Sequence, residues 1–236
     1  YLEPTGKPAP EGLLHVKNSA GWEGFIEEEF LKPVIKSPKE LKTILVRKED
    51  LKYKVFMCHK SKTELKETYA LEYIKWGEKQ GYHKRPTCTS RPSWWDLGVR
   101  KIGHLLYSYI IGEIHKIPLN CISMADCNLF DIYLKNEENI NNLTLFVNMA
   151  IFRFFLEISG REMTGSLTVL KIQVYELKNI FVLNPSIFFV EEKSIKTFFS
   201  RKIKSIFEEL GFPKCNQKNC KHPEHPYEFV NPEKVS

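Results

Sequence analysis

No stretch of this 236-residue chain is apolar for long enough to cross a bilayer; the longest, Leu143 to Ile158, is interrupted by Asn148, Arg153 and Glu157. Nor is there a signal peptide, since Tyr1 opens a polar run containing Pro4, Pro8 and Pro10. Both absences point to the cytoplasm. The missing initiator Met suggests a fragment of a longer protein. Six cysteines are scattered rather than set out as a disulfide framework, which suits a reducing compartment. Glycine-rich phosphate loops are absent, as are the Gly-x-Ser-x-Gly elbow and the His-Glu-x-x-His zinc motif. Sets of acid, acid and lysine can be assembled anywhere in so charged a chain and carry no weight, so a self-contained active site is not expected.

What is present is a folded protein with an uneven charge. Hydrophobic residues make up 42% of the chain and Phe, Tyr and Trp are plentiful, which excludes disorder. The net charge is +6, yet residues 51–101 alone carry 12 basic and 5 acidic side chains. That basic stretch leads through Arg91 into Trp94-Trp95. Clustered cations attract a polyanion even when the total is nearly balanced, and flat rings can press against bases or sugars. Nucleic acid is therefore the expected partner.

The hydrophobic pattern implies an α+β fold with a mixed β-sheet, a long buried helix and a C-terminal amphipathic helix. Leu13 to Val16 and Leu51 to Cys58 read as strands, and Gly21 to Phe30 as a short acidic helix. Thr63 to Gln80 reads as a helix, with Leu65, Tyr69, Tyr73 and Trp76 on one face and Gly81 as its stop. His104 to Ile111, Pro118 to Ser123, Leu129 to Leu134, Leu167 to Ile172 and Ile180 to Leu183 read as strands. Asn139 to Ile158 is the buried helix. The last helix runs from Ser194, its cap, to Leu210.

Several segments together resemble a known family. They are Phe30-Leu31-Lys32-Pro33-Val34-Ile35-Lys36-Ser37, Tyr73-Ile74-Lys75-Trp76-Gly77-Glu78, Pro86-Thr87-Cys88-Thr89-Ser90-Arg91-Pro92-Ser93-Trp94-Trp95-Asp96-Leu97, Gly160-Arg161-Glu162-Met163-Thr164-Gly165-Ser166-Leu167, and Tyr175-Glu176-Leu177. Their order and spacing over residues 13–190 resemble the TaqI-like C-terminal specificity domain of adenine-N6 DNA methyltransferases and restriction-modification enzymes. The resemblance implies that a catalytic domain upstream binds S-adenosylmethionine, while this target-recognition domain grips double-stranded DNA. The Asn/Asp-Pro-Pro-aromatic signature of amino-group methyltransferases is absent here, so the segment itself is expected to be non-catalytic and to bind no cofactor. Residues 1–12 would be a polar linker from the catalytic domain, 13–190 the recognition domain, and 191–236 a helix and tail.

An enzyme that extrudes a base needs a second lobe to hold the duplex in register, mostly through phosphate contacts. Lys84, Arg85, Arg91, Arg100 and Lys101 are the candidates for them. Trp94 and Trp95 either touch DNA or support the fold, because neighbours in a strand face opposite ways. Arg161, Thr164 and Ser166 lie on a turn able to read base edges, Arg161 by pairing with guanine. The same turn could simply connect a helix to a strand, and Lys171 beyond it could meet phosphate or solvent.

Cys215, Cys220, His222 and His225 are competent zinc ligands, though Cys220 and His222 stand closer than in usual structural pairs. The alternative is an irregular extension without metal. For the whole chain the alternative to DNA reading is a protein-interaction or structural subunit of a DNA-processing complex. Neither reading places it in a membrane.

Overall fold

The computed structural model describes residues 1–163, 169–187, 189–205 and 208. In chain order the elements are β1 (Glu3–Pro4), β2 (Leu13–Lys17), β3 (Glu23–Glu27), β4 (Leu31–Ile35), β5 (Tyr53–Phe56), α1 (Tyr69–Lys79), α2 (Pro86–Thr89), β6 (Leu105–Ser108), β7 (Ile110–Ile111), β8 (Met124–Ala125) and β9 (Leu129–Ile132). They continue with α3 (Ile140–Val147), α4 (Ala150–Ser159), β10 (Arg161–Met163), β11 (Val169–Lys171), α5 (Val174–Lys178) and α6 (Glu192–Ser200). The fold is α+β. Two compact units divide it, one of Tyr1–Tyr107 with Leu119–Lys135, the other of Ser108–Pro118 with Asn136–Ser236.

In the first unit β1-β2-β3 form an antiparallel sheet, and β4 pairs with β5 antiparallel and with β8 parallel. The second sheet is the mixed one that the pattern implied. Val16, Ile26, Phe30, Leu65, Ile74 and Trp95 share one core, while Ile35, Leu41, Val46, Leu106 and Leu129 share another. The stretch expected as a linker contributes to this unit. Leu2 is 1% exposed and bridges Lys54, and β1 extends the sheet from β2.

Residues 21–30, expected to be helical, instead form β3 and one 3-10 turn, Glu28–Phe30. Pairing with β2 buries Ile26 opposite Leu14. It also sends the Glu27 carboxylate to the start of α1, where it accepts from the Tyr69 and Ala70 N–H groups at 2.9 and 3.0 Å. These are donors that no intrahelical carbonyl can satisfy. α1 is shorter than its apolar pattern because Glu67 takes φ +64° and Thr68 caps the helix through the Leu71 N–H.

The second unit holds the β10-β11-β7 sheet and helices α3 to α6. The expected single helix over 139–158 is two helices meeting at 62°. Asn148 explains the break. Its side chain clasps Ile117, accepting from the main-chain N–H at 2.8 Å and donating to the carbonyl at 2.9 Å, while also donating to Thr144 O. Such side-chain bonding competes with helix continuation. Phe146, Phe152, Leu156 and Ile172 are buried on either side of the bend. Residues 180–183 are not a strand, residues 118–123 contribute only the bridging Leu119, and α6 ends at Ser200 well short of Leu210. No single described helix is long and apolar enough to cross a membrane.

Candidate nucleic-acid interface

The basic segment is shaped by the end of α1. Gly81 takes φ +77°, a left-handed conformation that costs glycine little, and reverses the chain into the 3-10 turn Tyr82–Lys84. α2 then begins with Pro86, which has no N–H to leave unsatisfied. The chain passes through Arg91 and brings both indoles back against α1.

The six-membered ring of Trp94 packs closely against Gly77. A Cβ at that position would sit 2.5 Å from the ring, so only glycine lets the helix and the indole approach so closely. The Trp94 N–H donates to Glu78 Oε1 at 3.2 Å, and Lys62 pairs with the same oxygen at 2.6 Å. Burial opposes the charge on Glu78, but these two donors outweigh it and hold the carboxyl below its usual range. Trp95 is 9% exposed and stands perpendicular to Trp94, with ring centres 6.2 Å apart. The indole pair is therefore first a support of the fold, and Trp94 alone keeps substantial exposure.

Around this support the structure assembles a cleft of about 370 Å³ that includes Phe56, Tyr82, Arg85, Arg91, Trp94 and Trp95. The Arg85 guanidinium lies 4.2 Å over the Tyr82 ring, and Arg91 donates to the Trp94 carbonyl at 3.5 Å. Four of the residues singled out from sequence thus meet at one place, with Lys84 beside them on the turn. Tyr82 was not anticipated. Its signal was only its place in Tyr82-His83-Lys84-Arg85, an aromatic leading a run of bases.

Arg100 is elsewhere in the same unit. It borders a second cleft of about 350 Å³, together with Lys32, His59 and Lys60. The approach to it is anchored at Asp96, whose Oδ1 takes the His59 ring nitrogen and the Gly98 N–H, each at 2.7 Å. Burial works against the Asp96 charge, but the Gly98 and His59 contacts prevail and hold its carboxyl below the usual range. Past Arg100, the Tyr133 hydroxyl donates to Lys101 O at 3.0 Å. Lys32, His59 and Lys60 escaped sequence reasoning because strands β4 and β5 bring them near Arg100 only in the fold.

Pairing separates the cations. Lys52, Lys60 and Lys62 are held by Glu3, Glu29 and Glu78. Among the described residues, Lys84, Arg85, Arg91, Arg100 and Lys101 have no carboxylate within salt-bridge distance, and all but the half-buried Arg91 are exposed.

In the second unit Arg161 and Lys171 face each other across the β10–β11 pair. Arg161 is already engaged, through Nε to Glu176 at 3.0 Å and through Nη2 to the Tyr175 hydroxyl at 2.5 Å and to Glu176 at 2.9 Å. Gly160 accommodates Leu170 and Ile172, whose side-chain carbons would lie 2.6 and 2.9 Å from a Cβ there. Thr164 and Ser166 lie outside the described residues, as do Cys215, Cys220, His222 and His225. Among the described residues no group of three His, Cys, Asp or Glu side chains could hold a metal ion.

The sequence model of one family, the C-terminal domain of the type II methyltransferase M.Eco57I, matches residues 27–209. The chain belongs to that family. No curated protein and no solved structure matches it. The matched region reaches from the end of β3 beyond α6 and so takes in elements of both units. A C-terminal domain of a type II methyltransferase belongs to a restriction-modification setting.

Proposed function

We propose that this chain is the target-recognition part of an adenine-N6 DNA methyltransferase, acting in the cytoplasm on double-stranded DNA beside an upstream catalytic domain that carries S-adenosylmethionine. The observation that carries the reading is the set of cations with no carboxylate within salt-bridge distance among the described residues, Arg85 and Arg91 at the Trp94 cleft with Lys84, Arg100 and Lys101 on the same unit. Such a cation can meet a phosphate without first breaking an ion pair. Each such contact releases counterions, so affinity should fall steeply with salt. Family membership favours DNA over other polyanions.

Arg161 is the base reader in this proposal. Its bidentate pairing with guanine would have to displace Glu176. The Arg161 side of the pair is exposed and Glu176 keeps the Gln173 N–H as a donor at 2.6 Å, so a guanine contact that discriminates by about 1 to 3 kcal/mol can compete with the pair at the correct base pair. Thr164, Ser166 and Lys171 would add contacts to the DNA.

The test is a titration of duplex DNA at several salt concentrations, with S-adenosylmethionine added in a parallel assay. Steep salt dependence without methyl transfer by this chain agrees with the proposal. Salt-independent binding would favour a protein-interaction subunit, and methylation by the isolated chain would show catalysis here.

A further inference from the structure

The Trp94 cleft offers more than a phosphate requires. Phe56 and Trp95 contribute buried apolar surface to it, Tyr82 and Trp94 contribute partly exposed rings, and Arg85 and Arg91 supply positive charge without carboxylate partners. Its volume of about 370 Å³ lies within the range of small-ligand pockets, about 300 to 1,000 Å³. A phosphate alone would leave the apolar lining uncovered. An apolar peptide would leave two arginines facing it with nothing to neutralise them. A nucleotide meets both demands, because its base is flat and apolar on both faces and its phosphate is an anion a few bonds away.

We infer that this cleft receives one unstacked base of the bound DNA, resting on the Trp94 side chain beside the Tyr82–Arg85 stack, with the adjoining phosphate on Arg85 and Arg91. The inference rests on the DNA-binding reading above and adds a binding mode to it. An intact duplex exposes no base face, so occupancy requires a base that has left the stack. The cleft therefore binds most strongly where unstacking has already occurred.

The experiment uses three duplexes of one sequence: fully matched, carrying a single unpaired 2-aminopurine, and carrying an abasic residue in place of that 2-aminopurine. The unpaired-base duplex should bind about tenfold tighter than the matched one, and 2-aminopurine emission should fall as its ring stacks on aromatic side chains. The abasic duplex should show no such preference. Cys88→Phe fills the cleft from its α2 side, and Thr87→Trp does so from an exposed position if the first variant folds poorly. Either variant should bind matched duplex as before while losing both the preference and the quenching. Equal binding of matched and unpaired-base duplexes would overturn the inference and leave the phosphate reading intact. So would unchanged emission, an abasic duplex bound as tightly as the unpaired base, or a preference that survives both cleft-filling variants. Absence of any salt-dependent duplex binding would remove the underlying reading and the inference together.

Discussion

The candidate DNA-binding arginines of the two units differ in what holds them. In the first, Arg85 meets a ring and Arg91 a carbonyl, and neither they nor Arg100 have a carboxylate within salt-bridge distance among the described residues. In the second, Arg161 is bound by Glu176, as Arg153 is by Glu157. The surfaces differ in the same direction. Ile151, Phe154 and Ile158 form an exposed apolar stripe on α4, and Phe181 and Phe189 are 84% and 89% exposed. The first unit can take up an anion without breaking an internal ion pair. Arg161 of the second unit must exchange one, and exchange rewards only a partner that fits. Unpaired charge supplies affinity on any sequence, and paired charge can supply choice.

The largest expected effect lies in the second unit and depends on pH. His115 is half-buried with its Nδ1 enclosed and without a hydrogen-bond partner, and it donates from Nε2 to Val147 O at 2.7 Å. Burial, with Arg153 nearby, lowers its pKa from 6.5 to about 4. Between those values the unfolded chain binds a proton that the folded chain refuses. The stabilisation is thus present above pH 6.5 and is lost as pH falls through 4, by about 3 kcal/mol in all. Protection of the α3 and α4 amides, measured relative to the intrinsic exchange rate at each pH, should fall as pH drops through that window, and His115→Gln should flatten the response. Every tryptophan belongs to the first unit, so indole emission provides a separate view of it. An identical pH response in both signals would erase this contrast between the units.

Next in size is the seat of Trp94. Gly77→Val should cost about 1 to 3 kcal/mol by overpacking against the indole, whereas Gly112→Val, with nothing within 4 Å of a new Cβ, should cost far less. Urea midpoints of the two variants compare the units directly. Equal midpoints would mean that Trp94 is not tightly seated and that the cleft beside it is less well defined.

Legibility from sequence followed the distance to each element's partners. α1 was readable from its apolar spacing and Gly81 stop, which lie close together, whereas its start at the Thr68 cap was not, because the left-handed Glu67 gives no local signal. The basic run into Trp94-Trp95 was readable for the same reason, and Arg85, Arg91, Trp94 and Trp95 do line one cleft. β3 was misread because its acidic residues suit a helix start, and only pairing with β2 and the reach of Glu27 to α1 make it a strand. The break at Asn148 depends on Ile117, 31 residues away, and local apolar content gave no sign of it. The hold on Arg161 was likewise hidden, since Glu176 is ordinary in sequence and significant only beside β10.

Arg161→Ala should relax preference at one base pair by about tenfold while changing overall affinity little. Glu176→Gln should leave the preference in place, because it frees the guanidinium rather than removing it. A preference scan over variant sites measures both. Equal losses on every sequence from Arg161→Ala would return that residue to a structural role and leave the second unit without an assigned base reader.

The smallest effect is the most diagnostic of the first unit. Arg91→Ala should weaken duplex binding a few-fold on all sequences and lower the magnitude of the logarithmic salt slope by about 1, the signature of one lost phosphate contact. Arg85→Ala should do the same, with an added loss of its packing on Tyr82. Lys62→Ala is the internal control, because Glu78 already holds that ammonium at 2.6 Å, so its removal should leave the slope nearly unchanged. If Lys62→Ala lowered the slope as much as Arg91→Ala, pairing within the protein would not predict which cations meet DNA, and the distinction between free and held charge would lose its functional meaning.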